Sequence, residues 1–376
     1  MGTIRRDICF VLLLFALAGA LLLLPSAFHQ DRPGQNTASV QADILAVDNS
    51  DLRQCGIVRT GDQTLRIRIK TGPGAGQELD AVNHLMGRLE FDKVFAPGDR
   101  AFAVLSYDGN TVVKAQVLDH YRLDTELAAL GLFSLLLLGF AGWTGAKALL
   151  SFIFTALMLW KVLLPGMLRG WDPLVLSLGV VAVLTAVIIF LVGGIGRRGV
   201  VAFLGALGGI AVTCLFALAF GARFAIHGAV KPFAETLLYS GFAHLDLTRM
   251  FLGGIFLASS GAVMDLAMDV AAAQHEIAEK HPGISRGELL RSGFTVGRAV
   301  VGTMTTTLLL AYTGSFLTLL LTFVAQGIPW ENIFNMPYVA AEILNTLAGS
   351  FGLVTVAPLT ALAGSLLFVA PPPRKP

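Results

Sequence analysis

The sequence predicts a polytopic α-helical membrane protein of about eight transmembrane helices, with an extracytoplasmic β-rich, barrel-like domain inserted after the first helix. Three observations carry that expectation. Hydrophobic residues make up 55% of the 376 and charged residues only 14%, where a soluble domain carries about 25% charge. Apolar runs long enough to cross a bilayer, which takes about 20 residues each, recur along the chain. One polar section, residues 29–126, interrupts the series and alternates apolar and polar residues with the period of a strand.

Residues 1–28 are the N-terminal transmembrane helix. An apolar run over 8–28 follows Arg5 and Arg6. A signal peptide begins the same way, but this core is long enough to span and its end, "LLLLPSAFHQ", has only a weak small-residue cleavage pattern. A retained helix is expected.

Within 29–126, "TLRIRIK" at 64–70 asks for one buried and one wet face. "RAFAVLSYDG" at 100–109 and "TVVKAQVLDHYR" at 111–122 repeat the signal around a "DGN" turn, and "GPGAG" at 72–76 and "PGD" at 97–99 punctuate it. A section of this length buries a modest core without metal or disulfide. Asp92, Asp99 and Asp108 read as turn or surface acids, while His84 and His120 stand too far apart to suggest a metal site.

Residues 127–371 make a seven-helix membrane domain, with spans near 127–146, 149–168, 174–193, 200–220, 251–272, 299–325 and 350–370. The mixed stretches near 221–250 and 331–348 are re-entrant, interfacial or spanning. Residues 372–376 are a short cytoplasmic tail.

Basic residues set the orientation. With the N-terminus inside, the inner face collects Arg5, Arg6, Lys147, Arg197, Arg198, Lys280, Arg286, Arg291, Arg298, Arg374 and Lys375. The short outer loops hold only Arg169, Arg223, Lys231 and Arg249, as the positive-inside rule requires. Both termini are then cytoplasmic and 29–126 is extracytoplasmic. A net charge of +2 gives no argument for a nucleic-acid partner. Cys9, Cys55 and Cys214 form no CxxC motif.

The chemistry concentrates in "SSGAVMDLAMDVAAAQHE", residues 259–276. Asp265 and Asp269 share one helix face at i,i+4 spacing. A carboxylate at membrane depth is costly and commonly marks an ion or proton path. Two held close repel when both are ionised, so the pair can bind a cation when charged and release it on protonation. Ser259, Ser260 and Gly261 keep the helix narrow. In the next span Thr303 and Thr307 share a face, although threonines in membrane helices often bond back to their own preceding turn. Glu342 and Asn345 add polar groups to an apolar segment, and Pro358 should kink the last helix. His275, Glu276 and Arg298 are candidates for a cytoplasmic gate. "QHEIAEKH" lacks HExxH spacing, which argues against a hydrolytic zinc site.

"GAVMDLAMDVAAAQHEI" at 261–277, "GRAVVGTMTTTLLLAYTGS" at 297–315 and "EILNTLAGSFGLVTVAPLTAL" at 342–362 resemble the YibE/F-like family of bacterial multi-pass membrane proteins. The resemblance extends over nearly the whole chain, first helix and β insert included. It implies a bacterial inner-membrane protein, described for the family as a transporter or permease without an established substrate. The family pattern has a serine-rich segment where this chain reads "AAAQHE", and Thr-Asn-Thr where it reads Thr305, Thr306 and Thr307.

Three functions compete. A secondary transporter or exporter of a small solute or ion, coupled to a proton or cation through the aspartate pair, needs a wet cavity reaching Asp265. A scaffold, sensor or accessory subunit would act through the β-rich domain. An intramembrane enzyme would need a nucleophile with its base or a metal triad, and the spans show no such spacing, so the expectation is a non-enzyme without cofactor. No Walker motif supplies ATP drive. The expected partners are the solute or ion and membrane lipid, with a homo-oligomer left open and no nucleic acid.

Overall fold

The computed structural model describes residues 2–24, 36–108 and 111–369. The expected tail at 372–376 and the centre of the "DGN" turn lie outside the described residues. Two compact units form, Met1–Phe28 with Leu137–Pro376, and His29–Leu136.

The second unit is a barrel. Its strands are β1 (Asn36–Asp48), β2 (Arg53–Cys55), β3 (Val58–Ile69), β4 (Glu78–Met86), β5 (Arg100–Asp108) and β6 (Thr111–His120). β1 pairs antiparallel with both β3 and β5, β3 with β4, and β5 with β6. A single parallel pairing, Val82 with Gln116, brings β4 to β6. The five long strands therefore ring up in the order β1-β3-β4-β6-β5, with β2 attached to β3. With β2 set aside, this is the Greek-key order of the OB-fold barrel.

Alternation drives it. In β3, Leu65, Ile67 and Ile69 are buried while Thr64, Arg66 and Arg68 are exposed, and Val40, Ile44, Leu105 and Val117 complete the core. Two amides sit in that interior. Gln63 donates to the Phe95 carbonyl at 2.9 Å and accepts from the Phe95 N–H at 3.0 Å. Asn83 donates to Gln63 Oε1 at 3.1 Å and to the Lys93 carbonyl at 2.7 Å. They pin the connection between β4 and β5, and Phe95 seals one end of the core with 2% exposure.

The helical unit begins with α1 (Gly2–Leu23). α2 (Leu123–Met158), which starts in the barrel unit, runs through a π-helical turn (Leu159–Leu163) into α3 (Leu164–Leu168). α4 (Pro173–Gly193) starts at Asp172, whose carboxylate accepts the N–H groups of Leu174 and Val175 at 3.0 Å. α5 is Arg197–Arg223 and α6 is Ala234–Tyr239. α7 (Leu247–Lys280) starts at Asp246 in the same way, and a Ser285–Glu288 capping box opens α8 (Arg286–Ser315). α9 (Leu317–Ala325), α10 (Trp330–Asn335) and α11 (Pro337–Leu367) follow.

α5, α7 and α11 form the centre. Ile210, Val263, Ala267, Leu353 and Val356 are buried there. Small residues permit the approach: a Cβ on Gly205 would collide with the Thr360 side chain, and one on Gly352 with Thr213. A second cluster gathers Leu14 and Leu21 of α1 with Phe154, Met158 and Leu184.

Among the described residues six helices, rather than eight, are long and apolar enough to cross a membrane. The expected spans at 127–146 and 149–168 form one stretch, Leu123–Leu168. Its backbone breaks at Gly142, where φ is 51° and ψ is −124°, a conformation open to glycine. Among the described residues the apolar part of α1 is Ile8–Leu23, and residues 25–28 of the expected run lie outside them. The expected span at 299–325 splits between α8 and α9 at Phe316, and residues 337–348 belong to the same helix as 350–367. The stretch 221–250 is not a spanning helix: between α5 and α7 it holds only a 3₁₀ turn (Gly228–Val230) and the six residues of α6. Pro358 lies inside α11 without ending it.

Candidate functional site

α7 has 34 residues, about 51 Å at 1.5 Å per residue, so a hydrocarbon core of about 30 Å covers only part of it. Asp265 lies about 27 Å from its start, near the middle of the helix, and Asp269 one turn further on. Most of the helix is packed, with Val263, Leu266, Ala267 and Val270 fully buried. One stripe is not: Gly254, Ala258, Gly261, Asp265 and Asp269 are exposed in succession. Both carboxylates therefore lie on the open side of the helix and not in the packed interior.

Depth relates α7 to its neighbours. Gly349 of α11 packs beside Ser259 and Tyr312, while Gly297 of α8 packs beside Ala357 and Val270. Thr303 and Thr307 fall between those two levels on α8, as Asp265 does on α7. Both threonines are exposed, and their hydroxyls donate to the Val300 and Thr303 carbonyls of their own helix at 3.0 Å. Ser260 is buried and likewise donates to the Leu257 carbonyl at 2.8 Å. At the far end of α7 the expected gate residues are engaged locally. Glu276 pairs with Lys280 at 2.6 Å, and His275 approaches Glu279 at 3.4 Å and the Phe368 ring at 5.2 Å. Arg298 is exposed on α8. Between them Gln274 is fully buried and ties three helices together, its amide donating to the Leu289 and Ala361 carbonyls at 3.0 Å.

Glu342 and Asn345 come together elsewhere. Glu342 forms an ion pair with Lys231, and Asn345 donates to the other carboxylate oxygen at 3.3 Å. The Lys231 ammonium stands 5.4 Å from the ring centres of Phe251 and Phe316, a cation–π distance. Its chain segment is constrained, with Ala225 at φ 49° and Phe233 at φ 62° on either side, positions that cost non-glycine residues about 1–3 kcal/mol and persist only under tight packing. Gly228 supplies that packing, since a Cβ there would collide with the Leu247 backbone. Phe251 is 14 residues before Asp265, about 21 Å along α7. The acid pair and the Lys231–Glu342 pair are thus separate centres.

Two cavities flank the ion pair. The larger, about 550 Å³, is bordered by Tyr312, Phe316, Trp330, Phe334, Glu342 and Leu347. The smaller, about 260 Å³, is bordered by Lys231, Phe251, Gly254, Ala258 and Asn345 among others. Gly254 and Ala258 begin the open stripe that leads to Asp265. Asn345 Oδ1 and the Tyr312 hydroxyl are buried without a hydrogen-bond partner among the described residues.

The family model described as YibE/F-like protein matches residues 129–370. The chain belongs to the YibE/F-like family. The match covers the helical region and both polar centres of this YibE/F-like protein, whereas the first helix and the barrel, included in the expected resemblance, lie outside it. No curated protein and no solved structure matches the chain. With its six candidate spans, this YibE/F-like protein is a multi-pass membrane protein.

Sequence reasoning missed Lys231 and Tyr312. Lys231 entered only as a loop cation, and the signal for its role was a lone lysine between "AIHGAV" and "PFAETLLY", a mostly apolar neighbourhood. Tyr312 lay within "LLLAYTGS", a phenol among apolar residues that has to find a partner or stay unpaired when buried.

Proposed function

We propose that this YibE/F-like protein is a secondary transporter or exporter of a small solute or ion in the bacterial cytoplasmic membrane, coupled to a proton or cation through Asp265 and Asp269. One observation carries the reading: two carboxylates one turn apart lie near the middle of a membrane-length helix, on a stripe otherwise made of Gly254, Ala258 and Gly261. Lipid does not accommodate a bare carboxylate pair at that depth, so the stripe faces water or a partner surface. Mutual repulsion makes the pair take up a proton or a cation, and losing either resets it.

On this reading Ser260, Thr303, Thr307, Glu342 and Asn345 supply polar groups along the route. His275, Glu276 and Arg298 form its cytoplasmic mouth, both termini are cytoplasmic, and the barrel is extracytoplasmic. The chain is not an enzyme and its partners are the solute or ion and the surrounding lipid. The experiment is a flux screen across ions and small solutes in sealed vesicles containing the purified protein, with an imposed pH gradient. Gradient-dependent flux of one solute supports the proposal, and a screen in which no flux depends on the protein contradicts it.

A scaffold or sensor reading has one specific support, the OB-type strand order, since such barrels bind oligomeric ligands. Deleting residues 36–120 separates the two. Transport survives the deletion in the first reading, and the activity goes with the barrel in the second.

A further inference from the structure

We infer that the Glu342 cavity is a binding site for a hydrophobic organic ammonium, and that Lys231, which reaches Glu342 from the neighbouring smaller cavity, is a tethered competitor for its carboxylate. Three independent features meet there. Glu342 is an acid of 12% side-chain exposure at the edge of a cavity whose other borders are almost wholly apolar. The ammonium beside it is enclosed as a recognised cation would be, by one carboxylate and by the faces of Phe251 and Phe316 at 5.4 Å. Two buried polar atoms beside Glu342 have no partner among the described residues: the Tyr312 hydroxyl, which borders the larger cavity and can donate to a polar group on the ligand, and Asn345 Oδ1, whose residue borders the smaller cavity and can accept an N–H. Asn345 is only 8% exposed.

The size and lining select the ligand. A cavity of about 550 Å³ is in the range of drug-sized sites, which run about 300–1,000 Å³. Trp330, Phe334, Phe316 and Leu347 offer aromatic and aliphatic walls for an apolar body, and the site is open on one side, with Trp330 67% and Phe334 55% exposed. A carboxylate at its edge excludes anions and leaves a single cationic position. Lys231 is 33% exposed at its side chain and sits on a flexible stem, so it can withdraw as the ligand's ammonium takes its place. An inorganic cation lacks the body to fill the cavity, and a neutral solute leaves Glu342 with Lys231.

The inference concerns binding and holds whether or not the chain transports. The same ammonium chemistry is found in a free amine and in a phosphatidylethanolamine headgroup. Dansylcadaverine, a fluorescent primary amine with an aromatic body, is therefore titrated into full-length protein in nanodiscs of phosphatidylglycerol alone and of phosphatidylglycerol with phosphatidylethanolamine. Empty nanodiscs provide the background. Saturable binding is expected with the parent and about tenfold tighter binding with Lys231→Met, which removes the tethered competitor. Loss of binding is expected with the paired change Lys231→Met and Glu342→Gln, which leaves no unmatched charge. Weaker probe binding when phosphatidylethanolamine is present assigns the natural ammonium to lipid, and unchanged binding assigns it to a free amine. If Lys231→Met does not fold, parent and paired variant still decide between the outcomes. Equal affinity in those two, or no saturable binding by any folded form, overturns the inference.

Discussion

Lys231 and Glu342, 111 residues apart in the sequence, close an ion pair between the segment that follows α5 and the first turns of α11. The pair has little water around the acid, so removing one partner exposes the other's unpaid desolvation, whereas removing both does not. Glu342→Gln should lower stability by about 2 kcal/mol and the paired change with Lys231→Met should recover most of it. Thermal melting of the purified protein measures this. Equal melting temperatures for the single and paired variants would show a pair without energetic consequence.

The contact between α5 and α11 rests on absent side chains. Gly205→Ala forces a Cβ into Thr360 and should cost about 1–3 kcal/mol. Gly179→Ala inside α4, where nothing lies within 4 Å of the added carbon, should not lower stability, since alanine is favoured over glycine in a helix interior by about 0.5–1 kcal/mol. Comparable melting shifts in the two would mean that the helices are further apart than described.

In the barrel, Asp92 accepts the N–H groups of Met86 and Arg88 at 3.0 and 2.6 Å. The Met86 bond foremost, then that from Arg88, holds its carboxyl below the usual aspartate range. A depressed folded value gives stability that is complete above the unfolded pKa of about 3.9 and is lost as pH falls through the lower folded value. Parent and Asp92→Asn should therefore differ by a constant amount above about pH 5 and converge below about pH 4. Denaturant titration of barrel unfolding across pH gives the curves. A gap that widens as pH falls would reverse the sign.

Much of this architecture was legible because burial writes itself into periodicity. "TLRIRIK" alternates because one face of β3 fills a core, and the apolar spans record a hydrocarbon solvent. The breaks fall where composition does not report them: the boundary expected at 147–148 is a backbone break at Gly142, and the span expected at 299–325 breaks at Phe316, because composition does not carry a local φ and ψ. The Asp265–Asp269 pair was readable from i,i+4 spacing, but which side of α7 stays open depends on the packing of α5 and α11 against it. The Lys231–Glu342 pair was not readable at all, because the partners meet only through tertiary structure.

On the proposed orientation, drawn from the distribution of arginine and lysine, the barrel lies outside. Cys55 is exposed on β2. With Cys9 and Cys214 replaced by alanine, a membrane-impermeant maleimide should label Cys55 in intact cells. Labelling only after lysis would invert the orientation.

On the proposed function the Asp265 carboxylate exchanges a proton or cation during each cycle. Asparagine keeps the shape and much of the hydrogen bonding while it removes titration. The most direct measurement follows the solute identified in vesicles, comparing flux across pH for the parent, Asp265→Asn and Asp269→Asn, with membrane insertion verified for each. Asp265→Asn should insert normally and lose gradient-coupled flux, with a smaller loss for Asp269→Asn. A well-inserted Asp265→Asn protein with parental flux and parental pH dependence would contradict the claim.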